Sequence, residues 1–397
     1  MSFAVVQPLP DGTRPATDGP AASTAPRGRR GRAAGAPRLF ALDGLRLIAA
    51  LSVLAFHWTA LADAPEIWSG HRPAEFMPTL SRFTSYGWLG VQLFFVISGF
   101  VICMSCWGKR PGDFLVSRVV RIVPAYWAAV LMTSAVLLLV PDLGRRLARE
   151  GLDGAVVLAN LTLFQSSFGV KYVDGVYWTL WVELVFYLLF AVVVRMGLTY
   201  RRVVAFCGIW SVAALFAPMA KIPLLSLVVV PNEAPFFIAG IAIYLMHRFG
   251  PDLLLWGVVG FSWLTAMGRI DSLKSAFEAS VAHTLSWNVV ALAITLAFAA
   301  VIAIALGLLD RVRWKGLTVA GALTYPLYLI HQEAGFTLIH WLRTLGLRSA
   351  AALAVALVTV LLAAWLLHRL VERPGGKLLK RHLGRAVAGM REVSTRA

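Results

Sequence analysis

Residues 85–107, SYGWLGVQLFFVISGFVICMSCW, decide the fold class because no charged side chain interrupts them. A helix of this length can cross a hydrocarbon core about 30 Å thick. Apolar runs of similar length recur along nearly the whole chain. We therefore predict a membrane protein built from transmembrane helices.

The overall composition also indicates a membrane protein. The chain has 397 residues, of which 59% are hydrophobic and 14% are charged, whereas soluble domains average about 45–50% apolar and about 25% charged residues. The formal net charge is +17, but Lys and Arg lie mostly at the ends of apolar runs rather than on a surface interleaved with aromatic residues. We attribute the positive charge to membrane topology and expect no nucleic-acid partner.

Hydrophobic spans can be counted from residue 40 onward. They predict an all-α, polytopic membrane bundle of about ten transmembrane helices, with the lipid bilayer as its surroundings. The expected spans are, in approximate numbers, 40–62, 85–107, 119–140, 176–196, 202–219, 232–247, 251–268, 283–309, 317–341 and 349–371. Pro326 lies well inside the ninth span and should kink it.

The two ends of the chain differ from the spans. Residues 1–37 are rich in Pro, Gly, Ala and Arg and contain too few apolar residues to pack a core, so we predict a disordered basic tail. A transmembrane domain is expected at 38–372, and a second basic tail at 373–397. Ten crossings put both ends on one side, and their Lys and Arg residues predict that this side is the cytoplasm. We expect a multi-pass protein of the cell (inner or plasma) membrane.

The loop between the third and fourth spans departs from the topology rule. Arg145, Arg146, Arg149 and Lys171 would face outward, but long loops follow the positive-inside rule less strictly than short ones. The apolar piece at 156–164 within this loop is predicted to lie in the membrane surface, as an interfacial or re-entrant helix.

Ionisable side chains within spans are functional candidates, because a charge at the centre of a transmembrane helix costs several kcal/mol. In the first span, Arg46 and His57 are eleven residues apart, which is close to three helical turns, so both point from one face. The alternative for His57 is a histidine that is only hydrogen-bonded between packed helices. Its shared face with Arg46 favours a functional role.

Glu183 and His331 are two further titratable groups deep inside spans. Counted by helical rise, they and His57 lie at similar depth, roughly 20–26 Å from the cytoplasmic surface. A histidine beside a carboxylate suits general base catalysis, because an imidazole can take a hydroxyl proton near neutral pH. The alternative for Glu183 and His331 is an interhelical hydrogen bond that only fixes packing.

Three arginines, Arg46, Arg118 and Arg121, fall nearer the cytoplasmic ends of their spans. An anionic ligand from the cytosol could meet them there. For Arg118 and Arg121 the alternative is ordinary anchoring of helix ends by positive charge.

Other catalytic classes find little support in the sequence. No Gly-x-Ser-x-Gly elbow occurs, and Ser98 lies in a glycine-bearing context typical of helix packing, so no serine nucleophile is expected. Cys103 and Cys106 have the spacing of a redox or metal pair, but no further Cys or His lies nearby. Two histidines and a carboxylate can bind zinc, so His57, His331 and Glu183 are the alternative metal ligands, but the sequence gives no evidence that they converge. No metal site is predicted.

Five separate segments together resemble the acyltransferase-3 family of membrane acyltransferases, which modify sugars of cell-surface polysaccharides and some secreted small molecules. The resemblance consists of an arginine and a histidine in the first helix, an aromatic Ser-Gly segment, an arginine pair opening the third helix, a glutamate helix and a late Tyr/His segment. These are Leu42–Arg46 with His57, Gly90–Phe100, Arg118–Pro124, Trp178–Tyr187 and Tyr325–His331. The resemblance covers about residues 38–372.

The resemblance implies an integral membrane O-acyltransferase that takes an acyl group from acyl-coenzyme A in the cytoplasm. The acceptor would be a hydroxyl reached from the other side, on a sugar, a lipid-linked or cell-surface glycan, or a secreted natural product. Acetyl-coenzyme A is the expected donor substrate, and no permanently bound cofactor is expected.

The resemblance also implies roles for particular residues. His57 would be the catalytic histidine, Glu183 a site residue, and Arg46 and Arg121 would guide the coenzyme. Taken together with the positions of the ionisable and aromatic side chains in the spans, the expected catalytic residues are His57 and Glu183. The expected coenzyme-binding residues are Arg46, Arg118 and Arg121, and the expected substrate-binding residues are Trp178, Tyr187, Tyr328 and His331.

A proton-coupled small-molecule transporter is the alternative function. Intramembrane Arg, His and Glu side chains also mark ion and substrate pathways. No convincing inverted repeat relates the two halves of the chain, and a carrier would transport its substrate without consuming acyl-coenzyme A.

Overall fold

The computed structural model of the chain describes residues 39–139 and 151–396. The basic tail predicted at 1–37 lies outside these residues, as do the loop arginines Arg145, Arg146 and Arg149. Within the described ranges the secondary structure is helical, and the one extended pairing there is an isolated antiparallel bridge between Leu61 and Val281. The predicted all-α fold is confirmed.

The first helices lie between residues 39 and 139. Two short helices connect the first helix to two long ones. They are α1 (Phe40–Thr59), α2 (Pro73–Phe76), α3 (Pro78–Thr84), α4 (Gly90–Cys106) and α5 (Pro111–Leu139).

The remaining helices lie between residues 151 and 396. They are α6 (Gly154–Leu161), α7 (Trp178–Met196), α8 (Tyr200–Ala220), α9 (Pro223–Val229), α10 (Ala234–Phe249), α11 (Leu253–Gly268), α12 (Ile270–Glu278), α13 (Trp287–Ala305), α14 (Gly316–Ile330), α15 (Glu333–Thr344), α16 (Ser349–Leu367) and α17 (Arg373–Arg396).

Several of these helices have the length and composition of membrane spans. Among the described residues, eight helical stretches are long and apolar enough to cross a membrane, and a ninth qualifies if α11 and α12, which meet at a bend of 43°, form one span. The prediction of a polytopic membrane bundle is therefore confirmed.

The ninth predicted span is wrong as one continuous helix. α14 has only 15 residues, and the chain breaks before α15 begins at Glu333. The Trp58 indole N–H donates to the His331 carbonyl oxygen at 2.8 Å, and the Glu333 N–H donates to Asp174 Oδ2 at 3.2 Å. The break is stable at this depth because side chains from elsewhere in the bundle pair with backbone groups that a continuous helix would pair internally.

The last apolar helix continues beyond the predicted span. α16 passes through a π-helical segment, His368–Glu372, directly into α17. The residues predicted as a basic C-terminal tail are thus helical as far as Arg396.

The loop between α5 and α7 contains the short helix α6. Asp153 caps it by accepting a hydrogen bond from the Val156 N–H at 2.8 Å. The Trp127 indole N–H donates to the Leu161 carbonyl at 2.8 Å and ties the helix to α5. The helix overlaps the apolar piece predicted at 156–164, and its position in the membrane surface stays a prediction.

Glycines let the helices around α4 approach backbone to backbone. A Cβ atom at Gly240 of α10 would lie 2.0 Å from the Val96 carbonyl oxygen of α4. A Cβ atom at Gly90 would lie 2.5 Å from the Ala49 carbonyl oxygen of α1. Small residues commonly permit such close packing between membrane helices, and here they hold α1, α4 and α10 against one another.

Opposite ends of the bundle carry different chemistry. We call the end where α1 begins the arginine end, because Arg46, Arg118 and Arg121 lie towards it on α1 and α5. We call the end where α1 finishes the histidine end, because it carries His57 and His331. α14 runs alongside α1 in the same direction, and α7 packs antiparallel to α5 and α14.

Candidate active site

A cavity of about 330 Å³ lies among α1, α4, α5, α7 and α14. It is lined on one side by aliphatic and phenylalanine side chains of α4 and elsewhere by polar groups from every one of these helices. The polar lining residues are Arg46, Ser98, Arg118, Arg121, Thr179, Glu183, Tyr187, Thr324, Tyr325 and Tyr328. A volume near 300 Å³ is at the lower limit for small-molecule pockets.

Glu183 supplies a carboxylate to this cavity. The Ser98 hydroxyl of α4 donates a hydrogen bond to Glu183 Oε1 at 3.0 Å. This bond joins α4 to α7 across the cavity wall and leaves carboxylate oxygen lone pairs directed at the cavity. Glu183 is thus placed to accept hydrogen bonds from a bound molecule.

Three arginines line the part of the cavity towards the arginine end. Arg46 Nη1 lies 3.4 Å from Asp43 Oδ1, one turn earlier on α1. The Arg118 guanidinium lies 5.9 Å from the ring centre of Tyr187 and donates to the Ser105 hydroxyl at 3.3 Å. Since aromatic faces attract cations, Tyr187 holds Arg118 against α7.

Arg121 is the most accessible of the three arginines. Its side chain is 47% exposed, and its Nη1 lies 3.8 Å from Glu372 Oε1, a distance too long for a strong hydrogen bond. Arg121 therefore keeps donor capacity for an anionic ligand.

His57 and His331 contact each other at the histidine end. His57 Nδ1 lies 3.0 Å from His331 Nε2, and the ring centres are 5.0 Å apart. His331 is buried, whereas His57 is partly exposed. The edge of Phe56 lies against His57, with the ring centres 5.2 Å apart.

Backbone carbonyl groups define the proton positions on the two rings. His331 Nδ1 lies 2.8 Å from the Tyr328 carbonyl oxygen, so Nδ1 carries the proton and His331 Nε2 is an acceptor. His57 Nδ1 lies 2.9 Å from the Val53 carbonyl oxygen and also faces His331 Nε2. Because both of these neighbours are acceptors, the proton of neutral His57 is on Nδ1. Its lone pair is then on Nε2, which has no hydrogen-bond partner among residues 39–139 and 151–396.

Tyr328 connects the cavity to the histidine pair. It lines the cavity, its ring centre lies 5.5 Å from that of His331, and its hydroxyl accepts from the Thr179 hydroxyl at 3.1 Å. Its own carbonyl holds His331 Nδ1. A molecule that fills the cavity would therefore reach towards His57 past Tyr328.

The structure brings together most of the residues singled out in the sequence. Six of them line the cavity: Arg46, Arg118, Arg121, Glu183, Tyr187 and Tyr328. His57 and His331 form a pair outside this lining. Glu183 pairs with Ser98, and the partner of His57 is His331 rather than the carboxylate that the sequence placed at the same depth.

Trp178 lies beside the cavity without lining it. Its ring centre is 6.3 Å from that of Phe95, so it packs behind the cavity wall. Sequence reasoning missed four polar lining residues: Ser98, Thr179, Thr324 and Tyr325. The signal for Tyr325 was available, since it lies three residues before Tyr328 and hence on the same face of α14.

No group of three or more His, Cys, Asp or Glu side chains in the described ranges is arranged to hold a metal ion. The chemistry that the site offers is one imidazole with an open nitrogen, three guanidinium groups and one carboxylate. These groups suit a proton transfer next to the binding of an anionic molecule.

Comparison with known proteins identifies a family to which the chain is similar. The sequence model described as an acyltransferase domain, that of the acyltransferase-3 family, matches residues 39–369. No curated protein and no solved structure matches the chain significantly. The matched residues contain every cavity-lining residue and both histidines.

Proposed function

The chain belongs to the acyltransferase-3 family and is a membrane acyltransferase, and on that premise we propose that it moves an acyl group from cytoplasmic acyl-coenzyme A to an acceptor hydroxyl. The acceptor is a sugar, a cell-surface glycan or a secreted natural product. Acetyl is the acyl group to test first. Both chain ends lie in the cytoplasm, so the arginine end is the donor side of the cell membrane.

One observation supports this proposal above the others: Nε2 of His57, beyond Tyr328 at the far side of an arginine-lined cavity, has no hydrogen-bond partner in the described part of the chain. The contacts of Nδ1 leave this nitrogen without a proton in the neutral ring. The thioester enters from the arginine end and occupies the cavity, with its carbonyl near Tyr328. The acceptor hydroxyl approaches from the histidine end, next to His57.

The transfer begins when His57 Nε2 takes the proton of the acceptor hydroxyl. The hydroxyl oxygen attacks the thioester carbonyl carbon, the carbon–sulfur bond breaks, and the coenzyme thiolate leaves. The thiolate then receives the proton from His57 Nε2, so that an ester and a free thiol are the products. A covalent acyl-histidine on His57 is the variant of this scheme, and trapping of the intermediate distinguishes the two.

His331 acts as a positioning residue for His57. When His57 is protonated, its Nδ1–H remains directed at His331 Nε2, 3.0 Å away, and at the Val53 carbonyl, 2.9 Å away. Hydrogen bonds from a charged donor are stronger than those between neutral groups. The two acceptors therefore stabilise the imidazolium that forms during transfer.

Glu183 has a binding role in this scheme. It is hydrogen-bonded to Ser98 and lines the cavity, whereas His57 lies outside the cavity lining. We assign the carboxylate to hydrogen bonds with amide N–H groups of the coenzyme's pantetheine arm, and the guanidinium groups of Arg46 and Arg118 to the carbonyl oxygens of that arm.

The test uses the purified full-length chain in detergent with acetyl-coenzyme A, and measures coenzyme binding and thioester consumption. His57→Ala should retain binding but lose about 10²–10⁴-fold in turnover, the usual range for loss of a general base. Arg46→Ala should weaken binding. His247→Ala is the matched control, because His247 also bonds a backbone carbonyl, that of Ala305 at 3.0 Å, but does not line the cavity.

A folded wild-type protein that neither binds nor consumes any acyl-coenzyme A would overturn the donor assignment. Transport assays for a proton-coupled carrier would then be the next experiment. Equal loss of turnover in His57→Ala and His247→Ala would instead show that the histidine pair has no special role.

A further inference from the structure

A second cavity opens at the arginine end, in a cleft between α5 and α17. Its volume is about 340 Å³, and its charged lining residues are Arg121, Glu372, Arg373, Lys377 and Lys380. We call it the basic cleft. Four of these five side chains are cationic, and the three from α17 are exposed.

The basic cleft is built by close packing of two helices. A Cβ atom at Gly375 would lie 3.0 Å from Pro124 Cβ, and one at Gly376 would lie 3.4 Å from the Val120 carbonyl oxygen, so α17 lies directly on α5. Positions 373, 377 and 380 are spaced by four and then three residues. Their side chains therefore project from one face of α17 along the cleft.

The one carboxylate in the basic cleft is already paired. Glu372 is buried, its Oε2 lies 2.8 Å from His368 Nδ1, and its Oε1 faces Arg121. It therefore helps to hold Arg121 in place while Arg373, Lys377 and Lys380 present their charges to solvent. Because the cationic side chains of the basic cleft outnumber its carboxylate, the cleft favours an anion with several negative charges.

Arg121 also joins the basic cleft to the active-site cavity, because it lines both. The active-site cavity, at about 330 Å³, has room for an acyl group and part of a pantetheine arm but not for the nucleotide of a coenzyme thioester as well. The nucleotide, which carries all the phosphate groups, must lie outside that cavity, and the basic cleft is the charged surface continuous with it.

We propose that the basic cleft binds the phosphate groups of the coenzyme's nucleotide, with the pantetheine arm passing Arg121 into the active-site cavity. This inference rests on the proposed function, since it assumes a coenzyme A thioester as donor. The match to the acyltransferase family ends at residue 369. Arg373, Lys377 and Lys380 therefore form a donor-binding element that lies beyond the matched family domain.

Anionic lipids carry phosphate groups like those of the coenzyme and could occupy the basic cleft instead, because a basic helix at the end of a membrane bundle also attracts lipid headgroups. The continuity of the basic cleft with the active-site cavity favours the coenzyme. A lipid headgroup would bind regardless of whether a thioester occupies that cavity.

The experiment compares three soluble probes on the full-length protein in a neutral detergent: coenzyme A, 3′-dephospho-coenzyme A and pantetheine. The test variant is Lys377→Ala/Lys380→Ala. The matched control is Arg381→Ala/Arg385→Ala, which removes the same charge from exposed positions on α17 that do not line the basic cleft. Calorimetry or intrinsic tryptophan fluorescence gives the dissociation constants.

For the test variant we expect the dissociation constant of coenzyme A to rise about 10-fold or more, equivalent to about 1.4 kcal/mol. The increase should be smaller for 3′-dephospho-coenzyme A and absent for pantetheine, which has no phosphate. The control should bind all three probes like the wild type, and Lys377→Arg/Lys380→Arg should restore coenzyme affinity. Wild-type affinity for coenzyme A should fall with added salt more steeply than that of the test variant.

Three outcomes would overturn the inference while leaving the proposed function in place. The first is wild-type affinity for coenzyme A in the test variant. The second is an equal loss for pantetheine, which indicates a general structural effect. The third is that the test variant no longer binds phosphatidylglycerol vesicles but binds coenzyme A as the wild type does, which assigns the basic cleft to lipid. If the wild-type protein binds none of the coenzyme probes, the proposed donor is wrong, and the inference fails with it.

Discussion

Replacing His331 with alanine removes the acceptor that faces His57 Nδ1 at 3.0 Å. In the transfer that we propose, the wild-type His57 imidazolium has two acceptors, whereas in the variant only the Val53 carbonyl remains, at 2.9 Å. A hydrogen bond from a charged group contributes about 1.5–3 kcal/mol. If that bond is fully formed only when His57 is charged, its loss lowers kcat by roughly 10- to 150-fold at 1.36 kcal/mol per factor of ten.

The assay measures thioester consumption over a range of acetyl-coenzyme A concentrations. Since the cavity that holds the donor is unchanged, KM should stay within about twofold while kcat falls. His331→Gln is the informative companion, because its amide oxygen can replace the Nε2 acceptor. We expect the Gln variant to recover most of the activity lost in the Ala variant.

An unfolding measurement in detergent separates this effect from a loss of structure, because His331 is buried and its carbonyl also binds Trp58. The backbone carbonyl, and with it the Trp58 hydrogen bond, is retained in both variants, so both should be folded at the assay temperature. His331→Ala should melt lower than His331→Gln, because alanine leaves a cavity at this buried position. The positioning role is refuted if the Ala and Gln variants lose kcat equally, or if the loss appears only in KM.

Two further substitutions test the packing and the binding role of the cavity. Gly240→Ala should destabilise the protein by about 1–3 kcal/mol, because its Cβ would lie 2.0 Å from the Val96 carbonyl oxygen. Thermal unfolding in detergent measures this loss of stability. The control is Gly208→Ala, because no atom lies within 4 Å of a Cβ at that position. An equal melting temperature for both variants would contradict the close helix contact. Ser98→Ala removes the hydroxyl that donates to Glu183 at 3.0 Å. This variant should raise KM for the donor about 3- to 10-fold with little change in kcat. A fall in kcat alone would argue against a binding role for Glu183.

The sequence predicts the fold class well because a membrane span is a local property. Each apolar run of about twenty residues has to be helical in lipid, since every backbone group needs an internal partner. The one span that was wrong shows the limit of this reasoning. Its break depends on Trp58 and Asp174, which are distant in sequence, and Pro326 lies within α14 rather than at the break.

The candidate site is only partly readable from sequence, for a geometric reason. Helical rise gives the depth of a side chain, but the direction in which each helix faces its neighbours depends on packing. Depth alone placed Glu183 beside His57, whereas the structure turns Glu183 towards Ser98 and turns His57 towards His331. By contrast, Arg46 and Arg121 fall in one cavity as their positions near the same helix ends suggested.

The break between α14 and α15 links the fold to the chemistry. His331 is the last residue before it, and its carbonyl is held by Trp58 from the same helix that carries His57. α1 and α14 are therefore fixed against each other at the level of the histidine pair, by a bond that a continuous helix would not leave available. Irregular backbone at membrane depth is tolerated only where protein side chains or a cavity satisfy it. Next to the interruption, His331 Nδ1 bonds the Tyr328 carbonyl and His331 Nε2 faces His57 Nδ1, so His57 Nε2 is the nitrogen left for the proton transfer that we propose.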